Sequence, residues 1–193
     1  MSFHIMGGRF KGRAMKSVRH PGLRVTTGAV REAVFSSLAD DVSGSDFIDL
    51  YAGCGSVGLE ALSRGAASVT WVEQVRRLTG CIRANIDLVI PSASPAAETA
   101  VLQVVQGKVE KTLVRLETGG KQFDFIFADP PYGHGLAAGF VDVGTLDNIL
   151  RKEGVLVVEH TLAENLPEKN GLLSLVKTRR FGKSKLSFFR FVK

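Results

Sequence analysis

Residues Asp129-Pro130-Pro131-Tyr132 end an apolar run, Phe123-Asp124-Phe125-Ile126-Phe127-Ala128, with a carboxylate, two stiffened peptide units and an aromatic. Proline fixes φ and withholds its N–H, so the carbonyls of Pro130 and Pro131 are left as free acceptors. The chemistry that wants this arrangement is methyl transfer to an exocyclic amine. The lone pair of a nucleobase amino group is delocalised into the ring, and it must be turned toward the methyl group by acceptors that hold its hydrogens. Asp129 and the Pro130 carbonyl are the candidate acceptors, and Tyr132 can stack on the base. Such a base has to leave its helix or lie in a single-stranded loop.

A second constellation, Asp49-Leu50-Tyr51-Ala52-Gly53-Cys54-Gly55-Ser56-Val57-Gly58, stands where a buried strand would turn into a helix. Glycines let the backbone turn sharply and let a ligand approach the main chain. Gly53, Gly55 and Gly58 spell G-x-G-x-x-G, and Glu73, at the end of the next strand, is placed to hold a ribose hydroxyl. On spacing alone a nicotinamide or flavin nucleotide fits this loop. Asp49 inside the strand, and Glu73 followed by polar Gln74 with no basic pocket for a 2′-phosphate, tilt the reading away from that pair.

The elements that must position these residues follow from apolar patterning. Five β-rich runs, 47–51, 69–72, 101–105, 123–128 and 155–159, alternate with candidate helices at 57–64, 74–89 and 146–152. This β-α repetition implies a largely parallel sheet covered on both faces, with ligands at the carboxyl ends of its strands. Segment 91–99, crowded with Pro, Ser and Ala, reads as a surface loop. The two ends fall outside the alternation. Residues 3–6 and 10–15, flanking Gly7-Gly8, read as a hairpin, and Thr26 or Thr27 can cap a helix over 29–38. Segments 174–179 and 186–192, joined at Phe181-Gly182-Lys183-Ser184, read as an antiparallel pair at the sheet edge.

Charge divides at the same places. The 193 residues carry 25 Lys and Arg against 19 Asp and Glu, a net +6. All of the carboxylates lie between the ends. Residues 1–31 hold Arg9, Lys11, Arg13, Lys16, Arg19, Arg24 and Arg31 and no acid, and residues 169–193 hold eight basic side chains and no acid. Two such blocks suit a polyanion. Arg9, Lys11 and Arg13 alternate, so on a hairpin strand they would share a face. A hydrophobic content of 45% with 23% charged residues describes one globular domain. No apolar run approaches a membrane span and the start has no secretory pattern, so the cytosol is expected. Cys54 and Cys81 are too few for a disulfide framework, and His4, His20, His134 and His160 lack metal-ligand spacing, so no structural metal is expected. Cys54 reads as small filler in the loop, His134 as a substrate-loop residue, Trp71 as core, and Glu60 with Arg64 as a surface ion pair.

The Asp49 to Gly55 stretch resembles motif I of class I S-adenosylmethionine methyltransferases, and Asp129-Pro130-Pro131-Tyr132 resembles the (D/N)-P-P-(Y/F) signature of amino methyltransferases. Gly7-Gly8-Arg9-Phe10-Lys11-Gly12-Arg13, Pro21-Gly22-Leu23-Arg24-Val25-Thr26-Thr27, Val30-Arg31-Glu32-Ala33-Val34-Phe35 and Gly58-Leu59-Glu60-Ala61-Leu62-Ser63-Arg64-Gly65-Ala66 are similar to the RsmD-type 16S ribosomal RNA guanine-N2 methyltransferases, over nearly the whole chain. The resemblance implies a Rossmann-like α/β domain, with a seven-stranded, mostly parallel sheet whose last strand is antiparallel. A basic extension, 1–40, with its hairpin and helix would precede an S-adenosylmethionine-binding core, 41–193. It implies catalytic roles for Asp129, Pro130, Pro131 and Tyr132, and cofactor contacts from Asp49, Tyr51, Gly53, Gly55, Gly58, Glu73, Lys108 and Val109. RNA contacts would come from Arg9, Lys11, Arg13, Arg24, Arg31, Lys183 and Lys185. The expected partner is 16S ribosomal RNA within an assembling 30S particle, met by a cytoplasmic monomer that needs no metal. The chain departs from the family at Val25 and Gly28, where Pro and Asp are usual, and at Lys108, where a small polar or acidic residue is usual. A lysine cannot accept the adenine amino hydrogens, so backbone groups near Lys108 and Val109 would read the adenine. Adenine-N6 methylation of DNA or RNA uses the same turn and is the rival activity. A nicotinamide-binding oxidoreductase and a non-catalytic RNA-binding module are more distant rivals.

Overall fold

Each strand of the α/β alternation is apolar on both sides, and this forces helices onto both faces of the sheet. The computed structural model describes residues 2–21, 23, 25–90, 100–131, 136–141 and 144–192. In chain order the elements are β1 Ser2–His4, β2 Ala14–Lys16, α1 Gly28–Leu38, a 3-10 turn Ala39–Val42, β3 Asp46–Leu50, α2 Ser56–Ser63, β4 Ser68–Glu73, α3 Arg76–Val89, β5 Val101–Gln106 and α4 Val109–Thr118. They continue with β6 Phe123–Ala128, α5 Leu136–Val141, α6 Leu146–Ile149, β7 Leu150–Thr161, β8 Lys169–Asn170, β9 Leu173–Phe181 and β10 Ser184–Phe191.

The main sheet runs β5-β4-β3-β6-β7-β10-β9-β8. β3 to β7 are parallel, and β10 is antiparallel to β7 on one side and to β9 on the other. The seven long strands are those expected, with the two-residue β8 added beside β9. The expected antiparallel pair lies on that side of the sheet, with β10 inserted between β7 and β9. Leu186 and Phe188 of β10 belong to the apolar layer under α1 to α3, and Phe189 to the layer on the other face, so both faces of this strand need cover. Phe47 and Phe125 point into the first layer and Ile48 and Ile126 into the second, by the period-two alternation of strands.

Three helices differ from expectation, α5 among them because no helix is expected over 136–141. α4 was not among the predicted helices, because Glu110, Lys111, Arg115 and Glu117 interrupt a stripe of only Val109, Leu113 and Leu116. α6 ends at Ile149 rather than at 152, since Leu150 pairs with Phe123 and begins β7. Arg151 is then carried to the amino edge of the sheet, where it bonds Asp46 at 2.6 Å and Asp124 at 2.5 Å.

The amino-terminal ribbon pairs Ser2 with Lys16, Phe3 with Met15 and His4 with Ala14. Its connection is the whole segment 5–13, not a tight turn at Gly7-Gly8. Met6 and Gly7 donate their N–H groups to the Glu60 carboxylate at 2.9 and 2.7 Å, and Arg9 donates to the Ser63 carbonyl at 2.8 Å. Gly8 lies at φ 73 with its missing Cβ against that carbonyl, so α2 captures the loop before it can close as a hairpin turn. Arg9, Lys11 and Arg13 therefore occupy a loop and share no strand face, contrary to expectation. Phe3, Ile5, Phe10 and Met15 are buried in the same cluster as Val34, Trp71 and Ile82. The segment 91–99 lies outside the described residues. No helix among the described residues is long and apolar enough to cross a membrane.

Candidate active site

Going outward from β3, the chain passes to β4 and β5 on one side and to β6 and β7 on the other, so a crevice opens at the carboxyl end of β3. A cavity of about 420 Å³ occupies it. Its walls come from the loop after β3, from Glu73 to Val75, from Gly107 to Glu110 and from Phe127 to Pro131. A volume of this size suits a small-molecule ligand.

Asp49 is buried at the head of the glycine loop and accepts the N–H of Gly58 at 2.8 Å. Burial pushes its carboxyl up to about 8. The Gly58 N–H opposes that shift and the neighbouring Glu73 adds to it. Glu73 accepts Gly53 N–H at 2.9 Å with one oxygen and Val75 N–H at 2.8 Å with the other. Each carboxylate oxygen keeps further acceptor capacity, so Glu73 can be fixed by the backbone and still take two hydroxyl hydrogens.

Tyr51 turns the loop at φ 57 and is the one non-glycine residue at positive φ among those described. A left-handed tyrosine is strained and persists only where its surroundings hold it. Here its hydroxyl donates to Glu110 at 3.2 Å, and its ring meets Phe140 edge-on at 5.9 Å. Burial, with Glu110 beside it, raises the phenol well above its ordinary range.

Gly53 lines the cavity, whereas Gly55 and Gly58 do not. A Cβ at Gly58 would stand 2.2 Å from Nε1 of Trp71, which itself donates to the Gly55 carbonyl at 3.3 Å. Gly58 lets the indole pass beneath the loop, and the Gly55 carbonyl accepts its N–H.

Asp129, Pro130 and Pro131 all line the cavity, half-buried, buried and exposed in that order. Asp129 is tied to β3 through its N–H, 3.5 Å from the Leu50 carbonyl. Tyr132 and His134 lie outside the described residues. Lys108 and Val109 line the opposite wall, where Gly107 donates to the Glu73 carbonyl at 3.0 Å and Lys108 caps α4.

The remaining wall is one that the motifs did not disclose. His20, Pro21, Leu23, Val25 and Thr26 cover the cavity, with a methyl of Leu23 2.9 Å from where a Gly53 Cβ would be. The departure at Val25 thus leaves the segment closed over the site. Its trace in the sequence was the family-like stretch from Pro21 to Thr27, outside the two motifs that carry the chemistry.

Arg31, expected at RNA, is instead an internal strut. It is 2% exposed, donates to the carbonyls of Thr26 at 2.5 Å and His4 at 2.6 Å, and lies 3.7 Å from the Glu60 carboxylate. Burial lowers its guanidinium pKa and Glu60 opposes the shift. Glu60 is fully buried, so its contact with Arg64 at 3.1 Å is one spoke of an interior hub and not a surface pair. Cys54 is likewise more than filler. Its Sγ is 3.7 Å from the Ser17 hydroxyl, and Asn85 links its carbonyl to Lys16. Burial and the nearby Cys54 push the Cys81 thiol up to about 12.

The other expected RNA contacts separate in space. Arg13 donates to the Leu88 carbonyl at 3.0 Å, at the C-terminal end of α3 and away from the cavity. Lys183, exposed in the β9–β10 turn, and Lys185, bonded to the Glu164 carbonyl at 3.4 Å, stand at the carboxyl end of β7. Arg24 lies outside the described residues. Among the described residues no group of three or more His, Cys, Asp or Glu is placed to hold a metal ion.

Residues 3–190 match the family model described as conserved hypothetical protein 95. Over 165 residues the chain is 31% identical to ribosomal RNA small subunit methyltransferase D of Escherichia coli strain K12, covering 84% of this chain and 77% of that protein. It is 29% identical over 155 residues to the Haemophilus influenzae protein of the same name, covering 80% and 77%. Among solved structures, Escherichia coli yhhF superposes with a TM-score of 0.81 at 27% identity, over 99% of this chain and 98% of that one.

Proposed function

The chain belongs to the family of conserved hypothetical protein 95, and from that membership we propose that it methylates the exocyclic N2 of a guanine in small-subunit ribosomal RNA, using S-adenosylmethionine. One observation carries the reading. The ribose-type acceptor Glu73, itself fixed by Gly53 and Val75, shares a single cavity with Asp129 and Pro130, so a cofactor and an amine can meet there. The relatives named as ribosomal RNA small subunit methyltransferases support the substrate class.

When bound, S-adenosylmethionine supplies an electrophilic methyl group on a sulfonium. Glu73 holds the two ribose hydroxyls, and the backbone around Lys108 and Val109 meets the adenine, because the lysine side chain offers no acceptor. Tyr51 and Gly53 bound the methionine part of the cavity. Asp129 and the Pro130 carbonyl accept the two amino hydrogens of guanine and turn its lone pair toward the methyl group. Tyr132, two residues after Pro130 in the motif, would stack on the base. Rate enhancement then comes from orientation and proximity, and the methylated amine is acidic enough to lose its proton to water without a dedicated base.

The test is labelled methyl transfer to RNA and to small subunits from cells lacking the protein, and to DNA. Methylguanine in ribosomal RNA is expected, and Asp129→Ala should lower kcat on the order of 10²-fold with cofactor affinity kept, as lost orientation demands. Methyladenine in DNA with no ribosomal product would defeat the assignment.

A further inference from the structure

The Arg9–Arg13 loop of the first basic block and the β9–β10 tip of the second lie at opposite ends of the sheet. Arg9 and Arg13 flank the Phe10 ring, their guanidinium carbons 4.6 and 5.3 Å from its centroid, in a loop seated on the C-terminal ends of α2 and α3. The carboxy-terminal block goes to the other end. Ser184 stands opposite both Thr161, the last residue of β7, and Phe181, the last of β9, so the hairpin tip projects at the end where the cavity opens.

The register fixes its distance from the reacting centre. Ala128 pairs with Val158, Val158 with Ser187 and Ser187 with Thr178. Asp129 is thus level with Arg179, three strand spacings or about 14 Å away. Beyond it come Arg180 and Lys183, both exposed, and Lys185, which sits across the ladder from Arg180. The short β8 pairs only with Ser174 and Leu173, so among the described residues the outer edge of β9 beyond 174 has no strand partner. Nearby carboxylates are engaged elsewhere: Glu159 is buried against the Ser184 hydroxyl, and Glu164 accepts from Thr161. Glu168 is exposed at the start of β8.

We propose that the β9–β10 hairpin, through Arg179, Arg180, Lys183 and Lys185, holds the phosphates of the RNA strand a few nucleotides from the base at Asp129, and that the Arg9–Arg13 loop does not. Such contacts set register and supply affinity without reading sequence. The inference rests on the RNA methyltransferase reading above.

Binding of small-subunit ribosomal RNA from cells lacking the protein, measured at several salt concentrations with S-adenosylhomocysteine present, tests it. R180Q/K183Q should bind roughly tenfold more weakly at physiological salt and lower the slope of log K against log salt by about 1.4, the share of two phosphate contacts on a single strand. Its affinity for S-adenosylhomocysteine should stay at the wild-type value, and the charge-keeping R180K/K183R should recover RNA binding to within about twofold. R9Q/K11Q should leave RNA affinity and slope unchanged. Unaltered binding by R180Q/K183Q, or an equal loss in R9Q/K11Q, overturns the proposal. A wild-type chain that binds S-adenosylhomocysteine but no RNA overturns the function reading and the hairpin's role with it, and that failure shows in the wild type and not only in the variants.

Discussion

Asp49 illustrates how a single buried side chain sets a pH dependence. Its carboxyl stays protonated in the folded chain up to about pH 8, while in the unfolded chain it ionises near pH 4. Between those values the folded state holds the extra proton, so stability from this group falls as pH rises, by at most about 1.4 kcal/mol per unit, and levels off above pH 8. Asp49→Asn keeps an acceptor for the Gly58 N–H and has nothing to ionise. Urea titrations from pH 5 to 8 should therefore show a flatter decline in the variant; parallel declines would show that other groups set the trend. Gly58 gives a steric counterpart. A Cβ there meets the Trp71 indole, so Gly58→Ala should destabilise by about 1–3 kcal/mol, and adding Trp71→Phe should return part of that loss in thermal melts. The motif glycines were legible as a turn. That one of them serves an indole thirteen residues later was not, because nothing in the spacing says which face Trp71 takes.

At the scale of elements, the cavity wall formed by His20, Pro21, Leu23, Val25 and Thr26 is held from behind by α1 and α2. Arg31 of α1 grips the Thr26 and His4 carbonyls, and Glu60 of α2 grips Arg31, Arg64 and two loop N–H groups. Replacing Arg31 by Met takes the donors from the Thr26 and His4 carbonyls and one of two cations from Glu60, so chemical denaturation should show a loss of about 1–3 kcal/mol. At temperatures where the variant stays folded, its KM for S-adenosylmethionine should rise more than its kcat falls, since the wall is loosened and Asp129 is not. A fall confined to kcat would speak against this strut. Here the sequence was misleading for a physical reason. Arg31 and Glu60 are opposite charges 29 residues apart, and each looks like a solvated residue until the helices that carry them are packed. The Arg9-Lys11-Arg13 alternation misled similarly, because the Arg9 N–H is taken by α2 and those of Lys11 and Arg13 close local turns onto Gly8 and Phe10. The parallel strands were legible because their burial demands continuous apolar runs, and the carboxylates after β3, β4 and β6 followed from the strands.

For the whole molecule, the extension and the core share one apolar cluster and one cavity. Phe3, Ile5, Phe10 and Met15 share a cluster with Trp71 and Ile82, while His20, Pro21, Leu23, Val25 and Thr26 complete the cavity. Removing residues 1–26 should thus lower the melting temperature and abolish S-adenosylhomocysteine binding by calorimetry together. A truncated chain that binds with wild-type affinity would show that the core suffices.

The threading of that extension also orders events during synthesis. Met6 and Gly7 wait for Glu60, Lys16 for Asn85, and Arg13 for Leu88, partners that follow them by 54, 53, 69 and 75 residues. A segment made early is therefore among the later ones to settle, and residues 13–16 find their seat only after α3 has emerged. A nascent chain halted before Leu88 has its glycine loop and its Glu73, yet its amino terminus still lacks the helix end on which it must rest.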